Sequence, residues 1–284
     1  MRYLTLLSLL TAGVAGAGVP MAAQAADRPV AIRFAGALGG APFACGRPTP
    51  GIGKTGATVV ASDFRFYVSE VALVDDTGKE VPVTLDQGTP WQHEDVALVD
   101  LRQGSGPCAG PGPRVEVTGR VPEGHYKGVR FTLGVPFALN HVDATVAPAP
   151  LNVSAMFWTW QYGYKFLKVD LTATTLAGRK NFFALHLGST GCNSGGPGQP
   201  PISCANPNRP RIDLAGFDPD TDRIVADPAA LLTDSDVTEP AGHDMAAGCM
   251  SAPSDPKCLP VLPKLGLPIS DRPAEAQRLF QVAR

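Results

Sequence analysis

The chain has 284 residues, a net charge of −2, 18% charged residues and 7% aromatic residues. The charge balance excludes a basic nucleic-acid footprint, and the low charged fraction excludes a charged disordered chain. With 31 Gly and 28 Pro, the chain is punctuated too often for long helices.

Met1–Ala25 reads as a secretory leader. Arg2 supplies the positive start, Leu4–Val19 is apolar and rich in Ala and Gly, and Ala23-Gln24-Ala25 is a small-x-small cleavage site. The apolar run is too short and too Gly-rich for a membrane span. Residues 26–284 are read as one β-rich, soluble domain. Export to an oxidising compartment changes the meaning of the six cysteines, all of which follow the leader. An even set there favours disulfides over a zinc site. Pairing local partners gives Cys192–Cys204 and Cys249–Cys258, and elimination leaves Cys45–Cys108.

Strand signals dominate the rest. Val30–Phe34 alternates. Gly51–Gly56 (GIGKTG) hints at a phosphate loop, but Pro48 stands where the motif needs its first Gly, so a surface turn is expected. Phe64–Val74 (FRFYVSEVALV) repeats β-branched and aromatic residues at period two, and Asp76-Thr77-Gly78 is a hairpin turn. Val81–Leu85, Val96–Leu101, Val115–Val121 and Val129–Val135 follow, then Tyr164–Thr172 and Asn181–Leu187. Short strands broken by Gly/Pro turns predict an all-β chain, an antiparallel sandwich with long disulfide-pinned loops. Residues 188–210 and 239–268 are expected to be those loops. Asp218, Asp220 and Asp222 alternate like a calcium loop but lack its Gly and Glu, and read as a solvated turn. Asp227-Pro228 predicts a helix start of one or two turns. Glu275–Arg284 reads equally as a helix or a last strand.

Ala155–Tyr164 (AMFWTWQYGY) is the densest aromatic cluster. As a strand it would place Met156, Trp158 and Trp160 on one face; core packing is the plain reading of such residues. Of the five histidines, His141 follows Asn140 just beyond a strand, and His186 ends FFALHL. Imidazole suits copper, zinc, iron and nickel. His93 sits in a less informative segment, His125 reads as a turn residue, and His243, Met245 and Met250 form a second soft-donor cluster near Cys249. Ser154, His186 and Asp170 make a hydrolase trio on paper, but no serine lies in a G-x-S-x-G elbow.

The runs FACG (43–46), DFRFYVSEVALV (63–74), FTLGVPFALNH (131–141), MFWTWQYGYKFLKVDL (156–171), HLGSTGC (186–192) and GCMS (248–251), in this order, resemble the MbnP family of methanobactin cassettes, also called metallo-mystery pair four-Cys motif proteins. The resemblance implies an exported, periplasmic copper-binding protein and not an enzyme. It also implies a partner, a dihaem cytochrome c peroxidase-like (MbnH-type) enzyme that oxidises the first Trp of the WxW motif, here Trp158, to kynurenine. An indole nitrogen has no lone pair to give a metal; the aryl amine of kynurenine has one. His141, His186 and modified Trp158 are then the expected copper ligands, suited to Cu(I), with the Met156 thioether a soft fourth candidate. Asp170 or Asn140 would orient an imidazole from behind. A role in copper homeostasis follows. The competing reading is a metal-free exported β-sandwich that docks a protein or glycan through its loops. A copper oxidase is disfavoured, because paired cysteines leave no thiolate for a blue-copper site.

Overall fold

The computed structural model describes residues 26–110, 112–196, 198–240 and 247–284. The leader Met1–Ala25, and His243 and Met245 of the second soft-donor cluster, lie outside the described residues.

Among the described residues the strands form a six-stranded sheet, a ten-stranded sheet and two separate two-stranded hairpins. The fold is all-β, as the alternation predicts. The spine of the larger sheet is the 19-residue strand Ala57–Asp75, which contains the FRFYVSEVALV run. It pairs with Leu167–Thr174 and Val96–Asp100 along its first part, and with Tyr126–Leu133 and Glu80–Pro82 along its last part. The change of partners falls at Glu70, which has a left-handed φ of 54° beside a register shift. Such a conformation is costly for a residue with a Cβ. Here the Glu70 carboxylate is held by the Thr132 hydroxyl at 2.6 Å and by Arg209 at 3.1 Å.

The smaller sheet packs on the larger through aromatic rings. Phe34, on strand Asp27–Leu38, meets Phe66 and Phe131 edge-on, with centroids 5.5 and 5.8 Å away. Phe280, on Phe280–Ala283, meets the same two rings at 5.3 and 5.2 Å. These four rings clamp the sandwich at its centre, and the chain end is therefore a strand, the second of the two readings. The Asp227 carboxylate accepts from the Ala229 amide and starts a single 3-10 turn, Pro228–Leu231.

All three disulfides join the expected partners: Cys45–Cys108, Cys192–Cys204 and Cys249–Cys258. Among its described residues the second of the pinned regions is largely irregular, with a short strand Gly248–Cys249 and a 3-10 turn Pro263–Leu265. The first is not a loop. Thr190–Ser194 and Pro201–Asn206 form a hairpin with Cys192 directly opposite Cys204. Its Gly/Pro-rich tip hid the strands.

The aromatic segment also departs from its expected single strand. Ser154–Met156 is a 3-10 turn, Phe157–Thr159 and Gly163–Tyr164 form a small hairpin, and Trp160 lies in its turn. Met156 therefore shares no strand face with Trp158; it is fully buried in the core. His141 caps a one-turn helix, Phe137–Asn140, that sequence periodicity did not reveal. Truncating the central clamp by Phe66→Ala is expected to cost about 3–5 kcal/mol of stability, measured as a lowered urea midpoint with an unchanged slope.

Candidate metal centre

Strand alternation puts one row of residues in the core and the next on the opposite face. Phe64 and Phe66, Leu167, Val169 and Leu171, and Phe183, Leu185 and Leu187 are core residues. The alternate positions are Asp63 and Arg65, Lys168 and Asp170, and His186. Register sets Lys168 beside both Arg65 and His186, and Asp170 beside Asp63. These groups form one charged chain. His186 Nε2 lies 2.6 Å from Asp170 Oδ1. Asp170 also pairs with Lys168, Lys168 with Asp63 at 2.6 Å, and Asp63 with Arg65 at 2.5 Å. Arg102 and Asp100 extend the chain. Three carboxylates thus face three cations, and buried charge is tolerated when paired in this way.

The Asp170 hydrogen bond determines the chemistry of His186. A carboxylate accepts, so Nε2 carries the proton and Nδ1 keeps its lone pair. Nδ1 is buried and has no hydrogen-bond partner. Burial holds the His186 pKa below the ordinary histidine value, against the pull of Asp170, so the ring is neutral. Burial pushes the Asp170 carboxyl upward, but its hydrogen bonds from His186 and Lys168, and their charges, carry it below the usual range. A neutral imidazole, backed by a carboxylate on one nitrogen and unpartnered on the other, is the arrangement of a metal-ligating histidine. His186 is thus prepared to offer one nitrogen to a metal.

Trp158 covers the same neighbourhood. Its ring lies so close over Gly188 that a Cβ there would stand 2.4 Å from Cζ3. Gly188 directly follows the strand Lys180–Leu187 that carries His186. Lys165 holds the segment from the other side: Nζ donates to the carbonyls of Ala155 and Phe157 and stands 6.0 Å from the Trp158 ring centre.

His141 approaches through the hairpin. Its Nδ1 donates to the Trp160 carbonyl at 3.0 Å, which leaves Nε2 as the acceptor, 3.2 Å from Asn140 Nδ2. Burial lowers its pKa, partly offset by the Trp160 bond. Asn140 is fully buried and acts as a clamp. Its Oδ1 accepts from the Tyr164 amide at 2.9 Å, and its Nδ2 also reaches Ser189 Oγ at 3.4 Å. Gly163 is required beneath it: φ is 75°, and a Cβ would lie 2.4 Å from the Asn140 carbonyl oxygen. The structure thus ties Trp158 and His186 to one strand end and joins His141 to it through Asn140 and Ser189. The two imidazoles are not hydrogen-bonded to each other.

Other sequence candidates fall away from this place. His93 is near Glu94, 3.6 Å away; His125 is an exposed turn residue. Ser154 is exposed, and the hydroxyl that does touch the His186 strand is that of Ser251. It donates to the His186 carbonyl at 2.8 Å and accepts from the Gly188 amide at 3.0 Å. Gly248 lets that segment pair closely with Ala184, where a Cβ would collide with backbone at 2.1 Å. Asp63 and Lys168 went unnoticed in the sequence, although DFRF and KVDL carry the signal: charges at period two inside apolar strands.

A model of the MbnP family matches residues 27–251. The solved structure of MbnP from Methylosinus trichosporium aligns with a TM-score of 0.79 and 31% identity, over 91% of this chain and 99% of that one. No curated protein sequence matches the chain.

Two measurements check the site. Nitrogen-15 NMR of the metal-free protein is expected to show His186 as the Nε2–H tautomer. Gly188→Ala is expected to displace the Trp158 ring at a cost of about 1–3 kcal/mol, seen as altered Trp emission and a lower urea midpoint.

Proposed function

The chain belongs to the MbnP family, and from that membership we propose that it is an exported protein that binds one copper ion, its ligands being His186, His141 and the amine formed from Trp158. The family is associated with methanobactin and copper. The observation that carries the reading is the buried, unpartnered Nδ1 of His186, backed by Asp170 and set at the strand end that Trp158 covers.

Three neutral nitrogen donors suit Cu(I). The metal would supply soft-ion storage or transfer chemistry and no turnover, so the role is copper homeostasis and not catalysis. Trp158 as an indole offers no lone pair. Its oxidative ring opening to kynurenine, by a dihaem MbnH-type peroxidase as co-reactant, creates the missing donor. Lys165 and Gly188 hold the ring in place beforehand. Asp170 keeps the His186 proton on Nε2, and Asn140 joins the His141 loop to the hairpin. Met156 serves packing and is left out of the ligand set. Met1–Ala25 directs export to the periplasm, and residues 26–284 act as one copper-binding domain.

Protein co-expressed with the peroxidase is expected to carry a mass change on the peptide containing Trp158 and to bind one copper tightly. Trp158→Phe and His186→Ala are each expected to lose that tight binding with the fold intact by circular dichroism. Tight copper binding by protein whose Trp158 is unmodified overturns the reading.

A further inference from the structure

We propose that the hairpin beside His141 holds a second metal site, closed by the Cys192–Cys204 disulfide and opened by its reduction, in which His141, Cys192 and Cys204 bind a thiophilic ion such as Cu(I). It shares His141 with the centre proposed above but needs neither Trp158 nor His186.

The donor atoms are already gathered. Nε2 of His141 and the sulfurs of Cys192 and Cys204 all lie within 4.8 Å of one another, and Cys204 Sγ stands 3.5 Å from Nε2. Among the described residues no other group of three His, Cys, Asp or Glu ligand atoms gathers as closely. The tautomer is correct: the proton is on Nδ1, donated to the Trp160 carbonyl, so the lone pair is on Nε2, which lies near the sulfurs and which the Asn140 amide must release for an ion to bind. Metal–sulfur bonds of about 2.3 Å and metal–nitrogen bonds of about 2.0 Å separate paired ligands by roughly 4 Å. The trio meets that span once the S–S bond no longer holds the sulfurs together.

The hairpin supplies the scaffold after cleavage. Thr190 pairs with Asn206 and Asn193 with Ser203, on either side of the two cysteines. That ladder keeps the thiols opposite each other. A groove of about 510 Å³, lined by His141, Trp160, Gly198 and Pro200 but by neither cysteine, opens on the histidine side of the trio. Of the other disulfides, Cys249–Cys258 is fully buried, and Cys45–Cys108 joins a half-buried cysteine to one nearly buried.

The chemistry balances with an external dithiol as reductant. Its thiolate attacks one sulfur, forms a mixed disulfide and is resolved by its second thiol. Two electrons and two protons pass to Cys192 and Cys204, and the dithiol leaves as its own disulfide. Ion binding then releases the two thiol protons to solvent. Thiolates select soft ions such as Cu(I), so the reduced hairpin is a copper site that an oxidising compartment keeps shut.

The test uses the chain purified without a peroxidase, in parallel with Trp158→Phe. Native protein is treated anaerobically with dithiothreitol, and thiols are mapped by alkylation and mass spectrometry. Cu(I) is then titrated against a chromogenic chelator, and Cd(II) is added to read the thiolate charge-transfer band. Labelling confined to Cys192 and Cys204, one Cu(I) bound by the reduced protein alone, a Cd(II) band, and equal behaviour of Trp158→Phe are expected. His141→Ala is expected to weaken Cu(I) by more than the roughly 10–100-fold that loss of an outer hydrogen-bond partner costs, and Cys192→Ser with Cys204→Ser to abolish binding. Reduced protein without the band, His141→Ala binding undiminished, simultaneous reduction of all three disulfides, or loss of binding in Trp158→Phe each overturns the proposal. The last result alone would assign the ion to the Trp158 centre instead. Failure here leaves that centre standing, since its copper binding is read on the oxidised, peroxidase-treated protein.

Discussion

Every strand of the larger sheet near the site has two faces, and only one of them is apolar. Phe64, Phe66, Leu167, Val169, Phe183 and Leu185 fill the core. The intervening positions hold Asp63, Arg65, Lys168, Asp170 and His186, nearly all shielded from water. Charges so placed are destabilising unless each meets an opposite partner. Register provides the partners, and the resulting chain ends on an imidazole. The position of that imidazole's proton and the free nitrogen that remains descend from this pairing, while burial keeps the ring neutral.

The architecture was largely legible from alternation, because period-two patterning encodes which face of a strand is buried. Two disulfide pairs followed from short spacing, and the third, Cys45–Cys108, from elimination. His186 and its support by Asp170 could be suspected from FFALHL and KVDL. Other parts depend on tertiary placement. Asp63 lies 105 positions before Lys168, and no local pattern reveals that they meet. Met156 looked equivalent to Trp158 by parity of position, yet the chain turns in a 3-10 helix between Val153 and Phe157, which breaks the parity. The hairpin at Thr190–Asn206 was obscured by its own glycines and prolines, since turn-forming residues also mark hairpin tips. Asn140, one residue before a histidine in an apparently ordinary turn, gave no sign that its amide joins three separate segments.

The family motifs acquire physical meanings in the structure. In HLGSTGC, His186 offers the free nitrogen, Gly188 makes room for the indole, Ser189 reaches Asn140, and Cys192 closes the hairpin. In GCMS, Gly248 permits close strand pairing, Cys249 anchors it to Cys258, and Ser251 bridges His186 and Gly188. In FALNH, Asn140 and His141 carry the loop to the hairpin. These segments are distant in sequence and meet in one small region of the fold.

The aromatic hairpin and the disulfide hairpin are each two-stranded sheets of their own, outside the ladders of the two large sheets. The sandwich therefore does not depend on their backbone pairing. Tyr164 is a core residue and Gly163 is required beneath Asn140, so in the aromatic hairpin it is the turn, with exposed Trp160 and Tyr162, that can be exchanged without touching the core. The turns of the two hairpins are therefore natural grafting points: donor sets of different hardness can be mounted there and compared without rebuilding the scaffold.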